Sequence, residues 1–335
     1  MKIAVIGAGA IGSLAAGYLK LKGEDVYLVG HGESVGAISK NGLNISGVRG
    51  DCKVDISIYD KLVSKPEILI LATKTQDIEE ALKNNLSLLK DTVILTTQNG
   101  LAAERIVAGL LPEDNVLSSI VMFGATYLEA GKVVHNFEGS WILGSMSSKL
   151  MDSRLLPLSL VLDKAFPTVI SEDILGMKYL KVFVNANNCI PAILGVSMQE
   201  AFLDPQVSEI SVAIWREGFR IISKCGIKLV SLPGFPIENV TRLIALAPEE
   251  AAKIFSGIMS KLSRAPLYGS ILQSIKRGRP SEIDYINGEF VNLAKKCNLE
   301  AKLNQKLVEM VHNVENNKKF FTKAELLAAT KGMLN

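Results

Sequence analysis

The sequence has 335 residues, 48% hydrophobic and 21% charged, which is more chain than one ordinary domain holds and enough apolar surface for a sizeable core. Its net charge of +3 is small and scattered, which argues against a nucleic-acid or anionic-membrane partner. Four cysteines, Cys52, Cys189, Cys225 and Cys297, lie far apart with no CxxC pair and no metal-ligand spacing. They read as free thiols in a reducing cytosol, and no metal site is expected.

The opening Met1-Lys2-Ile3-Ala4-Val5-Ile6-Gly7 reads as a strand entering a glycine turn rather than a secretory leader, and no apolar run reaches the roughly 18 to 20 residues of a membrane helix. A cytoplasmic protein is expected. After the strand at 2–7, residues 11–22 read as a helix with Ser13, Ala15, Ala16 and Gly17 making one face small. Further apolar strands follow at 25–30, 68–73 and 93–97, with helical stretches at 78–89 and 102–110. Continuously apolar strands alternating with helices are the pattern of a parallel sheet covered on both faces. From 116 to 143 the pattern changes to strand-like segments at 117–126, 132–136 and 140–143, expected to add antiparallel strands to the sheet edge. Beyond about residue 172, strand signals fade. Residues 178–194, 207–225, 238–247, 248–262, 283–296, 304–317 and 322–333 carry helical periodicity. The expected organisation is an α/β domain over 1–171 and an all-helical domain over 172–335.

Gly7-Ala8-Gly9-Ala10-Ile11-Gly12 matches G-x-G-x-x-G, follows a strand and opens a helix, the context of a Rossmann-type dinucleotide-binding fold. Gly7 permits the tight turn, Gly9 lets the backbone approach a pyrophosphate, and Gly12 allows close helix-on-strand packing. The helix N-terminus offers N–H groups and a partial positive charge to the phosphates. Sites for NAD usually carry an Asp or Glu at the end of the second strand, where it accepts from the ribose 2′-OH. Here that strand ends Val29-Gly30-His31-Gly32, with no carboxylate before Glu33. A 2′-phosphate meets no repulsion there and His31 can donate to it, so NADP(H) is favoured and NAD(H) is the alternative.

The order GAGAIG, then ATKTQD at 72–77, TQNGL at 97–101, K-x-x-x-N at 181–185 and SEIDYINGEF at 281–290 resembles ketopantoate reductase over nearly the whole chain. The resemblance implies a Rossmann-type doubly wound sheet with antiparallel additions, followed by an all-α C-terminal domain. It also implies that Lys74 contacts the cofactor and that Asn99 bridges cofactor and substrate. Lys181 stands where the family has its catalytic lysine, with Asn185 and Asn188 as substrate-binding asparagines and Ser270 matching the serine at the substrate carboxylate. Glu282 matches the glutamate that grips the substrate hydroxyl. The residue chemistry agrees. Lys181, Asn185 and Asn188 at i, i+4 and i+7 predict one helical face, and an ammonium there can stabilise and protonate a carbonyl oxygen during hydride addition. Two departures stand out: Cys189 occupies the position where many family members have the second Asn, and Ser274 one that is often acidic.

The expected activity is reduction of a small 2-keto acid, 2-dehydropantoate above others. The alternatives are a relative acting on another 2-keto acid and a non-catalytic NADP(H)-binding sensor. The partners expected are the small-molecule substrate and a second copy in a homodimer, with neither nucleic acid nor membrane.

Overall fold

Short apolar runs make the strands of the first unit: β1 (Lys2–Ile6), β2 (Asp25–Val29), β3 (Leu43–Gly47), β4 (Cys52–Val54), β5 (Ile58–Tyr59), β6 (Ile68–Leu71), β7 (Val93–Thr96), β8 (Val116–Val121), β9 (Gly124–Glu129), β10 (Lys132–Phe137), β11 (Trp141–Gly144) and β12 (Thr168–Ile170). The computed structural model describes residues 1–146, 152–262 and 265–334, and the chain divides into two compact units, Met1–Leu175 and Gly176–Asn335. The main sheet runs β12-β11-β8-β7-β6-β1-β2-β5. From β8 to β5 its strands are parallel, and only the β8–β11 pair is antiparallel. The Ile-Leu-Ile-Leu of β6 is buried along its whole length, as a strand covered on both faces must be.

Helices of this unit are α1 (Ala10–Leu21), α2 (Glu33–Asn41), α3 (Ile78–Lys83), α4 (Ala102–Ala108) and α5 (Leu155–Leu162). The expected antiparallel edge is only partly formed. β8 and β11 join the main sheet, but β9 and β10 leave it and build a second sheet, β4-β3-β10-β9. The physical reason is the small face of α1, which needs a cover. A β-carbon at Gly17 would stand 2.5 Å from the Ile45 Cδ1 of β3. On β10, His135 is fully buried with Tyr18 Oη 3.2 Å from its Nδ1. β3, β4 and β5 went unanticipated because each is short and interleaved with polar residues.

The second unit carries α6 (Ile174–Ala186), whose first two residues belong to the first unit, then α7 (Cys189–Leu194), α8 (Met198–Phe202), α9 (Pro205–Lys224), α10 (Glu238–Ala245), α11 (Pro248–Met259), α12 (Ser270–Lys276), α13 (Asn287–Lys296), α14 (Lys302–Asn317) and α15 (Lys323–Thr330). Its core forms around α9. Trp215 meets Phe255 at 5.4 Å between ring centroids, and Gly218 leaves room for the Phe290 ring, which in turn meets Phe183 at 5.0 Å. Asp204 starts α9 by accepting from the Gln206 N–H, with Pro205 in the first turn where its missing N–H costs nothing.

Two expectations are corrected here. Residues 178–194 do not form one helix, because α6 stops at Ala186 and α7 starts at Cys189. In a continuous helix the Pro191 ring would collide with the Asn187 carbonyl, and that carbonyl would lose its donor. The cysteines are not all free. Cys225 and Cys297, 72 residues apart, close a disulfide with their Cα atoms 6.0 Å apart. Each is the residue that ends its helix, α9 and α13 respectively, and the packing of those helices brings together what sequence spacing hides. Cys52 and Cys189 remain thiols. Among the described residues no helix is long and apolar enough to cross a membrane.

Candidate active site

The glycine turn sits between the carboxyl end of β1 and the start of α1. Gly7 holds φ at +113°, and a β-carbon there would stand 2.6 Å from the Ala72 carbonyl carbon, so no other residue fits. A β-carbon at Gly12 would stand 2.0 Å from the Gly7 oxygen. Gly9 differs, because nothing lies within 4 Å of the position its β-carbon would take. Gly9 caps α1 with no side-chain hydrogen bond to the helix N–H groups, and no acidic residue lies in the first turn. An open approach above Gly9 and a helix N-terminus without a side-chain cap fit a dinucleotide pyrophosphate. Ala8 lies against Gly30 at the end of β2, where any β-carbon would come within 2.9 Å of it, while Ala10 and Ile11 begin α1. His31 follows, exposed, and no carboxylate precedes Glu33.

Two further turns meet this one at the carboxyl edge of the sheet. Lys74 leaves β6 ahead of the short 3₁₀ turn Thr75–Asp77, and Asn99 follows β7. Gln98, only 5% exposed, donates from Nε2 to the Leu71 and Thr73 carbonyls, each at 2.9 Å. Sequence reading singled out Asn99 and passed over Gln98. Its signal in the sequence is a glutamine beside Asn-Gly, two residues past the end of a largely buried strand. Below the edge, the buried Glu104 of α4 accepts from the Thr96 hydroxyl at 2.7 Å and the Ser118 hydroxyl at 2.6 Å. It fixes the strand end from which Asn99 departs.

In the second unit, Lys181 and Asn185 lie one turn apart on α6 and share a face. Lys181 is partly exposed, yet the protein packed around its ammonium desolvates it and lowers its pKa from the ordinary lysine value to about 8. Lys178, one turn earlier, is 3% exposed. The predicted common face does not extend to Asn188, because α6 ends before it and Asn188 instead precedes α7. Its amide packs on Gly269, where a β-carbon would stand 3.1 Å from the Asn188 Cγ, so Asn188 adjoins the start of α12 and its first residue, Ser270. Cys189 is fully buried, and burial pushes its thiol up to about 12, which keeps it neutral.

Glu282 is 5% exposed and precedes the 3₁₀ turn Ile283–Tyr285. Ser281 starts this turn, its hydroxyl accepting from the Ile283 N–H at 3.3 Å. α14 clamps the segment. The Glu315 carboxylate accepts the Ser281 N–H at 2.7 Å, and His312 lies 3.0 Å from Asp284 and 2.9 Å from Glu315. Burial works against the imidazolium, but hydrogen bonds and charge from Asp284 and Glu315 prevail and raise the His312 pKa.

The geometry within each unit can be compared with known proteins. The family described as Ketopantoate reductase PanE/ApbA matches residues 3–148, and its C-terminal counterpart matches residues 173–315. A 2-dehydropantoate 2-reductase of Pyrococcus horikoshii is 33% identical over 319 residues, covering 94% of this chain and 98% of that protein. Among solved structures, D-mandelate dehydrogenase with NADH and anilino(oxo)acetate superposes with a TM-score of 0.82 at 26% identity, over 95% of this chain and 99% of that one. A PanE/ApbA family ketopantoate reductase from Ralstonia eutropha gives a TM-score of 0.80 at 23% identity, over 95% and 99%, and shares the fold.

Proposed function

The chain belongs to the ketopantoate reductase family, and from that premise we propose that it reduces 2-dehydropantoate to pantoate with a nicotinamide dinucleotide, NADPH ahead of NADH. The observation that carries the reading is the open glycine turn at the uncapped α1 N-terminus, in a chain whose helical unit also presents Lys181 and Asn185 on one face of α6. The first unit is the dinucleotide-binding part and the second supplies the proton donor and the substrate contacts. The exposed His31, in place of a carboxylate, favours a 2′-phosphate.

A nicotinamide dinucleotide, held by the Gly7–Gly12 turn, Lys74 and Asn99, would supply a hydride to the keto carbon. Lys181 meets the negative charge that gathers on the keto oxygen and gives it a proton, which completes the 2-hydroxy acid. A pKa of about 8 leaves the amine charged at neutral pH and still ready to release its proton. Asn185, Asn188 and Ser270 orient the keto acid, Glu282 accepts from the substrate hydroxyl, and Lys74 and Asn99 hold the dinucleotide. The likeness to D-mandelate dehydrogenase, together with Cys189 in place of an asparagine, favours one second reading, a relative reducing a bulkier 2-keto acid.

A steady-state assay with ketopantoate and with an aryl 2-keto acid, each with NADPH and NADH and read at the nicotinamide absorbance band, tests both readings. The highest kcat/KM is expected for ketopantoate with NADPH. A preference for the aryl acid transfers the assignment to the second reading, and no oxidation of either dinucleotide by any keto acid rejects both.

A further inference from the structure

A helix leaves its last carbonyls without intrahelical partners. At the end of α6, other helices of the same unit supply them. Asn287, at the head of α13, donates from Nδ2 to the Ala186 carbonyl at 3.1 Å. Trp215 of α9 donates from Nε1 to the Phe183 carbonyl at 2.8 Å. Asn287 Nδ2 also donates to Asn304 Oδ1 at 3.0 Å, and Asn304 Nδ2 donates to the Glu217 carboxylate at 2.8 Å. Both asparagines are fully buried. The same carboxylate accepts the Leu303 and Asn304 backbone N–H groups at 3.0 and 2.8 Å. It thereby caps α14, whose own cap residue, Ala301, has no side-chain oxygen to offer.

The direction of this chain of bonds follows from its charged end. A carboxylate only accepts, so Asn304 must turn its amide nitrogen to Glu217 and its oxygen to Asn287. Asn287 must then present its own nitrogen to Asn304 and to Ala186. The Asn287 Oδ1, in contrast, is buried without a hydrogen-bond partner among the described residues. That is a cost no local preference of Asn287 would choose, and it marks the relay as what orients the residue.

Lys181 and Asn185 lie in the last two turns of α6, just before the break at Asn187 and Asn188. A slip of one residue there would rotate both side chains by about 100° around the helix axis. We propose that the relay Glu217–Asn304–Asn287, with Trp215, is a positioning device that fixes the rotation of the end of α6 and so aims Lys181 and Asn185. The activity part of this proposal rests on the catalytic role given to Lys181 above. Asn287 is thus a positioning residue, and its place in the D-Y-I-N-G run serves α6 rather than the substrate.

Two variants test it. Asn287→Leu keeps the forked shape and removes the donor, and Trp215→Phe removes the indole N–H together with part of the ring while leaving an aromatic ring to pack on Phe255. The expected kcat loss is about 10-fold or more for Asn287→Leu and about 3-fold for Trp215→Phe, since small misplacements of a reacting group are costly. NADPH affinity stays parental, and the alkaline decline of kcat moves along the pH axis. Carbon-13 NMR of reductively methylated lysines, with Lys181 assigned through Lys181→Arg, reads the titration of that amine with no substrate present and is expected to show the same displacement. Folded variants with parental kcat, pH profile and Lys181 titration would overturn the proposal. So would a lowered melting temperature with those three unchanged, which is the mark of a purely structural role. If Asn287→Leu does not fold, Trp215→Phe decides by the same readouts. If the parental protein does not turn over ketopantoate, the functional reading fails, while the NMR titration still judges the relay.

Discussion

The Gln98 amide donates to the Thr73 carbonyl at 2.9 Å, which ties the turn after β7 to the turn after β6. A second bond from the same nitrogen reaches the Leu71 carbonyl. Since the Gly7 turn packs directly on the Ala72 backbone, Gln98 locks the sheet edge from which Gly9, Lys74 and Asn99 project. Gln98→Leu keeps the bulk and leaves two carbonyls without this donor. Dinucleotide affinity is expected to fall about 5- to 30-fold, the equivalent of one or two lost buried hydrogen bonds. Fluorescence titration with NADPH measures it, and unchanged affinity would remove Gln98 from the site.

The Cys225–Cys297 disulfide closes a loop of 72 residues in the helical unit. The chain-entropy account gives such a loop a stabilisation of about 4 kcal/mol, with native bridges commonly worth 2 to 5. Cys225→Ser with Cys297→Ser is therefore expected to lower the unfolding free energy of this unit by about 2 to 4 kcal/mol, read as a lower urea midpoint at unchanged slope. Reductant should lower the midpoint of the parental protein and leave that of the double variant where it is. Equal midpoints for all samples would show that the bridge contributes nothing to stability.

His312 lies between Asp284 and Glu315, and its pKa is raised in the folded protein. A raised pKa means that the stabilisation is complete below the unfolded-state value and is lost as pH climbs through the folded one. The parental melting temperature is therefore expected to fall relative to His312→Gln as pH rises from about 6 to 8, the range just around and above the ordinary histidine value. The loss should be modest, because the pair is partly exposed to solvent. Scanning calorimetry across that range reads the difference, and parallel curves for the two proteins would exclude the linkage.

What was legible in the sequence was what is local. The glycine turn announces itself because Gly7 must hold a positive φ and Gly12 packs on the Gly7 oxygen five residues away. The parallel strands announce themselves by unbroken apolar runs such as β6. The departure of β9 and β10 into a second sheet is not local, since it is decided by the small face of α1 more than a hundred residues earlier. Nor could spacing show that Cys225 and Cys297 meet, or that Asn287 reaches back to Ala186. The stop of α6 was readable in principle from the pair Asn187-Asn188 with Pro191 behind it, but the apolar periodicity of 178–194 masked it.

Lys181 carries the central claim. Its lowered pKa is a stability statement as well as a catalytic one. A lysine depressed to about 8 when folded penalises the folded state at every pH below that value, and the penalty is relieved as pH rises from about 8 towards the ordinary lysine range. Lys181→Met should therefore melt higher than the parental protein at pH 7, losing activity as it gains stability. The most direct measurement is the pH profile of kcat for ketopantoate reduction by NADPH, taken for the parental protein and for Lys181→Met, with NADPH affinity measured beside it. The expected result is a parental kcat that declines above about pH 8. For Lys181→Met, turnover is expected to be lower by about 10² to 10⁴, with dinucleotide affinity unchanged. A Lys181→Met protein that keeps parental turnover and the same alkaline decline would contradict the account.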